Sequence, residues 1–262
     1  MLKNRRLVLP ILLGIAFLIL FAFYNWYYQV IPQAGISLLN GIEPPRAGDT
    51  IAVFSPHPDD ETTAVGGYVR TAILKGANVW IVLVTDGNKH HLKNVRYSEF
   101  NAATSTLGVP ANHLIFLNYP DGKLARKDPN KLIADFTKSI VSIRPDIVFI
   151  PHPKDRHPDH RTTSIAVEKA ITQTTLKPVI YYYLVHYPHF PIPKRLDQSL
   201  YLLPPIRLIE FNREWKSFTL SPEVEDAKLE ATLKYKTQLM FPPLKELLDS
   251  LVRKNELFSV NK

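Results

Sequence analysis

The sequence predicts an α/β fold on a mostly parallel sheet, behind one N-terminal apolar helix. Three observations predict it. Short runs rich in β-branched and aromatic residues alternate with helix-length segments. The runs are apolar throughout instead of alternating with polar residues. An uninterrupted apolar stretch stands at the N-terminus. Continuous apolar strands separated by helices suit a sheet covered on both faces, a Rossmann-like three-layer sandwich.

Residues 7–28 (LVLPILLGIAFLILFAFYNWYY) carry no charged side chain. At about 1.5 Å per residue, such a helix crosses the roughly 30 Å hydrocarbon core of a bilayer. Tyr24, Trp26, Tyr27 and Tyr28 gather at its far end as an interfacial belt does. A cleaved secretory signal has a shorter apolar core followed by small residues. Bulky aromatics follow here, so the reading is an uncleaved transmembrane anchor. Lys3, Arg5 and Arg6 precede it, which predicts a cytoplasmic tip over residues 1–6 and an extracytoplasmic domain. Residues 29–48, with Pro32, Pro44 and Pro45, read as a connector, and 49–262 as one domain.

The strands expected in the domain are 50–55 (TIAVFS), 78–85 (NVWIVLVT), 113–118 (HLIFLN), 146–151 (DIVFIP) and 179–185 (VIYYYLV). Helices are expected over 61–75, over 95–107 with Gly108 as C-cap, and over 129–143 and 159–174. Later segments, 222–239 and 243–256, read as helices packed outside the sheet. Apolar residues make up 45% and charged residues 21% of the 262, which is a globular balance. The absence of cysteine excludes disulfides, thiolate zinc sites and thiol nucleophiles. The net charge is +8, three of it at the N-terminus, with no dense basic stripe or nucleic-acid module, so no nucleic-acid partner is expected.

In the common 3-2-1-4-5 winding, the first and fourth strands are neighbours, and ligands bind in the crevice beyond their C-terminal ends. Two polar clusters follow those strands. Pro56-His57-Pro58-Asp59-Asp60-Glu61 follows the first, and Asp155-Arg156-His157-Pro158-Asp159-His160 follows the fourth. Such acids also favour helix N-termini, so either cluster alone is ambiguous. Their convergence at one crevice points to a metal site. Imidazole and carboxylate ligands suit zinc, and three protein ligands leave the open position that catalysis needs.

With PHPDDE at 56–61 and HPDH at 157–160, the chain resembles the PIG-L/LmbE-like family of N-acetylglucosaminyl deacetylases. Thr85-Asp86-Gly87, Arg96-x-x-Glu99, Leu107-Gly108, Lys228 and Gln238 also look like family features, so the resemblance runs from about residue 49 to 238. It implies His57, Asp60 and His160 as ligands of one zinc or similar divalent ion. It implies Asp59 as general base, His157 as the oxyanion-stabilising group and Arg96 as a substrate contact. The expected activity is hydrolysis of an N-acetyl group on an amino sugar or glycolipid. Elementary chemistry is consistent with these roles. A carboxylate beside a metal can take a water proton, and a protonated His157 can hydrogen-bond a developing oxyanion. The rivals are an anchored glycan-binding protein and a magnesium-dependent phosphoryl-transfer enzyme. The intact acids and histidines argue against the first, and the lack of a Gly-rich phosphate loop against the second.

Other residues stay open. Glu61 either ligates indirectly or sits in the first helical turn. Asp86 and Asp121 are turn residues or site-supporting acids. His90, His91, His152, His186 and His189 read as surface or loop histidines. A basic rim of Lys89, His90, His91, Lys93, Arg96, Lys123, Arg126, Lys127, Lys154, Arg156 and Arg161 is either ordinary solvated surface or suited to an anionic substrate. Residues 187–205 read as a lid, a membrane-facing loop or a long connection.

Overall fold

The computed structural model describes residues 5–262 except His90, with side chains described from Leu9 onward. Lys3 and His90 lie outside the described residues.

The apolar N-terminal stretch forms α1 (Arg5–Tyr27). From Leu9 to Tyr24 it is exposed throughout, and its last turn touches the domain, with Tyr24 against His189 and Tyr27 under Arg207. The expected connector is held against the domain. Ile31 N donates to Pro204 O (3.1 Å) and Ile206 N to Gln29 O (2.9 Å). The strand β1 (Asn40–Gly41) then joins the sheet edge, and Ile42 enters the core.

Five strands form a parallel half: β2 (Thr50–Ser55), β3 (Asn78–Thr85), β4 (Leu114–Tyr119), β5 (Ile147–Pro151) and β6 (Val179–Tyr183). They are ordered β4-β3-β2-β5-β6, the expected winding, with Val53 opposite Ile81 on one side and Phe149 on the other. Strand period 2 explains the two cores. Ile51, Val53, Ile81 and Leu83 face α2 (Asp60–Leu74) and α3 (Lys93–Leu107), packing with Val65, Val69, Phe100 and Leu107. Ala52, Phe54, Val82 and Val84 face α4 (Pro129–Ile143) and α5 (Pro158–Thr172), packing with Phe136, Ile140, Val167 and Ile171. Gly108 ends α3 at φ 91, the left-handed C-cap its position predicts.

The sheet continues past β6 into an antiparallel half that the sequence reading did not contain. There β7 (Arg213–Thr219) and β8 (Asn255–Asn261) pair antiparallel, and β8 also pairs with β6. The segment 222–239 divides into α6 (Pro222–Thr232) and α7 (Lys236–Leu239). The helix expected over 243–256 is α8 (Pro242–Ser250) and stops before Asn255 and Glu256, which begin β8. The cause is tertiary. Asn255 bonds Leu202 N and O and Ser217 Oγ, while Glu256 accepts from Gly67 N and Tyr68 N and pairs with Lys228.

Residues 187–205 form an ordered crossing held by Arg253, which donates to Asp197 O and Pro193 O. Its start packs on the end of α1, with Tyr187 against Tyr28 and His189 against Tyr24.

Candidate active site

The turn from β2 into α2 is built by internal hydrogen bonds. Ser55 Oγ donates to His57 O (2.7 Å) and Glu61 Oε2 (2.9 Å), and Thr85 Oγ1 to Pro56 O (2.7 Å). Asp59 sits at φ 132, a backbone region that L-residues rarely adopt. Thr63 N and Oγ1 both hold its carbonyl at 2.9 Å. The Arg96 guanidinium clamps the same turn, donating to Pro58 O and to Asp59 Oδ2 (3.1 Å). Gly87 makes room for this clamp. At φ 59, its absent Cβ would stand 3.0 Å from Pro58 Cγ and 3.3 Å from Arg96 Cβ.

This turn brings three atoms of the expected ligand set together. His57 Nδ1 and Asp60 Oδ2 are 3.2 Å apart, His57 Nδ1 and His160 Nε2 3.3 Å, and His160 Nε2 and Asp60 Oδ2 3.1 Å. Bonds of about 2.0–2.1 Å to a tetrahedral ion set ligand atoms about 3.3 Å apart. The triangle therefore fits one small divalent cation.

Each imidazole has a carboxylate at its other nitrogen. His57 Nε2 is 3.2 Å from Asp159 Oδ2, and His160 Nδ1 is 3.2 Å from Asp155 Oδ2. Metal-binding histidines characteristically have such a partner, which fixes the ring and its tautomer. Both carboxylates are themselves fixed. Asp159 accepts from Gly122 N (2.7 Å) and Leu124 N (3.0 Å); Asp155 accepts from His157 N, Val185 N and His186 N. Asp159 is thus more than a helix-start residue, and Asp121 Oδ1 adds a third carboxylate 3.4 Å from His57 Nε2.

The electrostatics point the same way. Among the described residues no Lys or Arg side chain pairs with Asp60, Asp121, Asp155 or Asp159. Burial opposes protonation of His57, but Asp159 and Asp60 outweigh it and raise the imidazole to about 9. Burial also opposes charge on His160, and Asp155 and Asp60 push it well above the ordinary value. Such imidazoles want a cation beside them, proton or metal. Burial pushes the Asp59 carboxyl up to about 8, with Arg96 pulling the other way.

His157 caps α5, its Nδ1 accepting from Asp159 N (3.3 Å). Burial, then the neighbouring His57 and His160, bring it down to about 3. That direction, and the bond its Nδ1 accepts, favour a neutral ring with its proton on Nε2, where the sequence suggested a protonated one.

His186 is a site residue that sequence reading placed on the surface. Its ring centroid lies 4.8 Å from that of His160 and 5.3 Å from that of His157, and with Asp60 and His160 it forms a second potential ligand group. It follows a parallel strand on the same sheet edge as the other two loops, the signal that could have found it. His152 is fully buried and stacked on Trp215 at 5.3 Å. Glu61 is structural, accepting from Ser55, Thr62 and Tyr235 hydroxyls. Asp86 Oδ1 accepts from Asn88 N and Asp121 N and so shapes the rim loops.

The site opens into a cavity of about 360 Å³. His57, Asp59, Asp60, Arg96, His157 and His186 form one wall. The facing wall is apolar, with Phe241 and, from α8, Pro243, Leu244 and Leu247, a contribution the sequence did not suggest. Of the basic rim, Lys89 and Arg96 line this cavity. Lys154 pairs with Glu210, Arg156 donates to the Tyr28 hydroxyl, and Lys93 to Asn118 Oδ1.

An α/β domain with imidazoles and carboxylates converging at the switch point of its sheet defines a class suited to metal-assisted hydrolysis. Comparison with known proteins bears on the resemblance. Residues 52–171 match the family model described as PIG-L: GlcNAc-PI de-N-acetylase, and the resemblance read from the motifs is borne out over that stretch. Curated relatives include a probable N-acetyl-alpha-D-glucosaminyl L-malate deacetylase 2 of Bacillus anthracis, 27% identical over 46% of this chain and 58% of its own length. Another is a 1D-myo-inositol 2-acetamido-2-deoxy-alpha-D-glucopyranoside deacetylase of a Mycobacterium species (strain KMS), 31% identical over 44% of this chain and 48% of its own. The chain thus spans about half the length of the curated relatives it matches. In fold, the chain resembles the zinc-inhibited form of the teicoplanin deacetylase Orf2, with a TM-score of 0.61 at 14% identity, covering 81% of this chain and 98% of that one.

Proposed function

We propose that this protein is a metal-dependent N-deacetylase that hydrolyses the acetamide of an N-acetylglucosamine-type sugar or glycoconjugate, releasing acetate and a free amine. The observation that carries the reading is the triangle of His57 Nδ1, Asp60 Oδ2 and His160 Nε2, with edges of 3.1–3.3 Å. The activities for which the relatives are named, deacetylation of N-acetylated glucosaminyl compounds, support it.

His57, Asp60 and His160 would hold the ion, and zinc suits their two nitrogens and one oxygen. When bound, such an ion supplies Lewis acidity toward the amide carbonyl and toward water. Asp59 is the general base. Its raised carboxyl sits near neutrality, where a base both accepts and returns a proton efficiently. Arg96 positions that carboxylate from behind and, lining the cavity, can also meet the substrate. His157, neutral and protonated on Nε2, donates to the carbonyl oxygen as it gains charge. Asp155 and Asp159 orient the two ligand imidazoles.

The reading also takes α1 as a membrane span, with the tip cytoplasmic and the domain extracytoplasmic. The length and apolarity of Leu9–Tyr27 and the exposure of Leu9–Tyr24 support it. An anionic acceptor rests on Lys89, since Arg96, which also lines the cavity, is paired with Asp59.

The test is metal analysis with acetate-release assays on N-acetylated sugars, free, nucleotide-linked and lipid-linked. The wild type should carry about one divalent ion per chain, and His57→Ala and His160→Ala should strip it. Full metal content in both variants would overturn the ligand set. Metal without acetate release from any of these sugars would overturn the reaction.

A further inference from the structure

The end of α1 is fastened to a surface that is itself apolar. Backbone bonds join 29–31 to 204–206, and Val30 bridges Pro205. The Arg207 guanidinium lies 3.7 Å from the Tyr27 ring centroid and 5.8 Å from that of Trp26. Trp26, Tyr27, Gln29, Ile206, Arg207 and Ile209 line one shallow hollow. The chain then runs into Phe211, which is 97% exposed, with Lys262 Nζ 5.9 Å from its ring centroid. Ile209 and Ile206 are about half exposed.

Scattered apolar residues on a surface need no explanation, but a contiguous patch rimmed by basic groups does. This patch continues an exposed apolar helix at its aromatic end, the depth where lipid headgroups meet acyl chains. Aromatic and aliphatic side chains entering that zone, with Arg and Lys at headgroup level, form an interfacial contact. The backbone pairing leaves no slack between helix and patch, so an inserted helix brings the patch down with it.

We propose that Ile206, Ile209 and Phe211, with Arg207 and Lys262, form a bilayer-docking face that seats the domain on the membrane surface at a fixed orientation. This rests on α1 spanning the membrane. The face adds a second contact, distinct from the span. The same helix end also reaches the site-bearing side of the sheet, where the Tyr28 hydroxyl accepts a hydrogen bond from Arg156, next to His157.

The chain has no cysteine, so one introduced cysteine carries a unique polarity-sensitive fluorophore. Full-length Phe211→Cys, Phe17→Cys in mid-helix and Asn112→Cys, exposed just before β4 at the opposite edge of the sheet, are each labelled. Each is reconstituted into phosphatidylcholine–phosphatidylglycerol vesicles with and without nitroxide-bearing lipid. The expected result is blue-shifted, strongly quenched emission at positions 17 and 211, and water-like, unquenched emission at 112. Quenching at 17 with water-like emission at 211 would overturn the docking face and leave the span standing. No quenching at 17 would remove the span and the face together. Equal quenching at 112 and 211 would also overturn it, since the domain would then lie on lipid with no defined face.

Discussion

In the antiparallel half of the sheet, Lys228 Nζ and Glu256 Oε1 meet at 2.7 Å with neither side chain reaching solvent. Glu256 also accepts from Gly67 N and Tyr68 N, so its charge is answered on every side. In the parallel half, Asp60, Asp155 and Asp159 are equally buried but face imidazoles, and those imidazoles border an open cavity. The first set is closed and saturated. The second set has more carboxylate than fixed cation, one carboxyl raised toward neutrality and one imidazole driven neutral. The difference teaches how to read buried charge: saturation marks a structural role, and charge imbalance beside a cavity marks chemistry.

The contrast can be broken most forcefully in the antiparallel half. Lys228→Met leaves Glu256 buried without its counter-charge and should cost roughly 3–5 kcal/mol of stability. Urea unfolding measures that loss. Metal content and turnover of the folded fraction should stay near wild type, and a primary loss of metal would contradict the division of roles.

A smaller effect lies at the seam between the halves. His152 follows β5 yet stacks on Trp215 of β7, and its Nδ1 accepts from Lys154 N (3.1 Å). Burial, helped by Arg213, lowers it from the ordinary 6.5 to about 3. The unfolded chain takes up this proton below 6.5 and the folded chain does not. This contribution to stability is therefore complete above about 6.5 and falls as pH drops toward about 3, amounting to about 2 kcal/mol lost by pH 5. Unfolding free energies at pH 7 and pH 5 should converge by that amount in His152→Phe relative to wild type. Equal acid sensitivity of the two proteins would refute the assignment.

The smallest effect belongs to an exposed pair in the parallel half. Lys131 and Asp135 meet at 2.9 Å on α4 with both side chains partly in water. Lys131→Ala should change stability by about 0.3–0.5 kcal/mol, and less at high salt. A loss comparable to that of Lys228→Met would show that burial is not what separates the two pairs.

The parallel half was legible because strands buried on both faces read as unbroken apolar runs, and the motif residues fall where the winding reverses. The antiparallel half was not. Residues 213–219 (REWKSFT) form no clean apolar run, and Asn255 and Glu256 look like a helix end until their partners at Leu202, Ser217, Gly67 and Lys228 are in place. In the site, His57, Asp60 and His160 came from motif and position. The neutral state of His157, the inward placement of His186 and the apolar wall from α8 depend on contacts between distant segments, which no local pattern encodes.

The central claim is that neighbouring, chemically identical acids divide the work, with Asp60 holding the metal and Asp59 moving the proton. Arg96 on Asp59 and the two imidazoles on Asp60 are the physical basis of that division. Metal content and acetate release measured together on Asp59→Asn and Asp60→Ala test it. Asp59→Asn should keep its metal and lose about 10²–10⁴-fold in turnover. Asp60→Ala should lose metal first, with partial recovery when metal is added in excess. Nearly full activity in metal-loaded Asp59→Asn, or unchanged metal affinity in Asp60→Ala, would contradict the account.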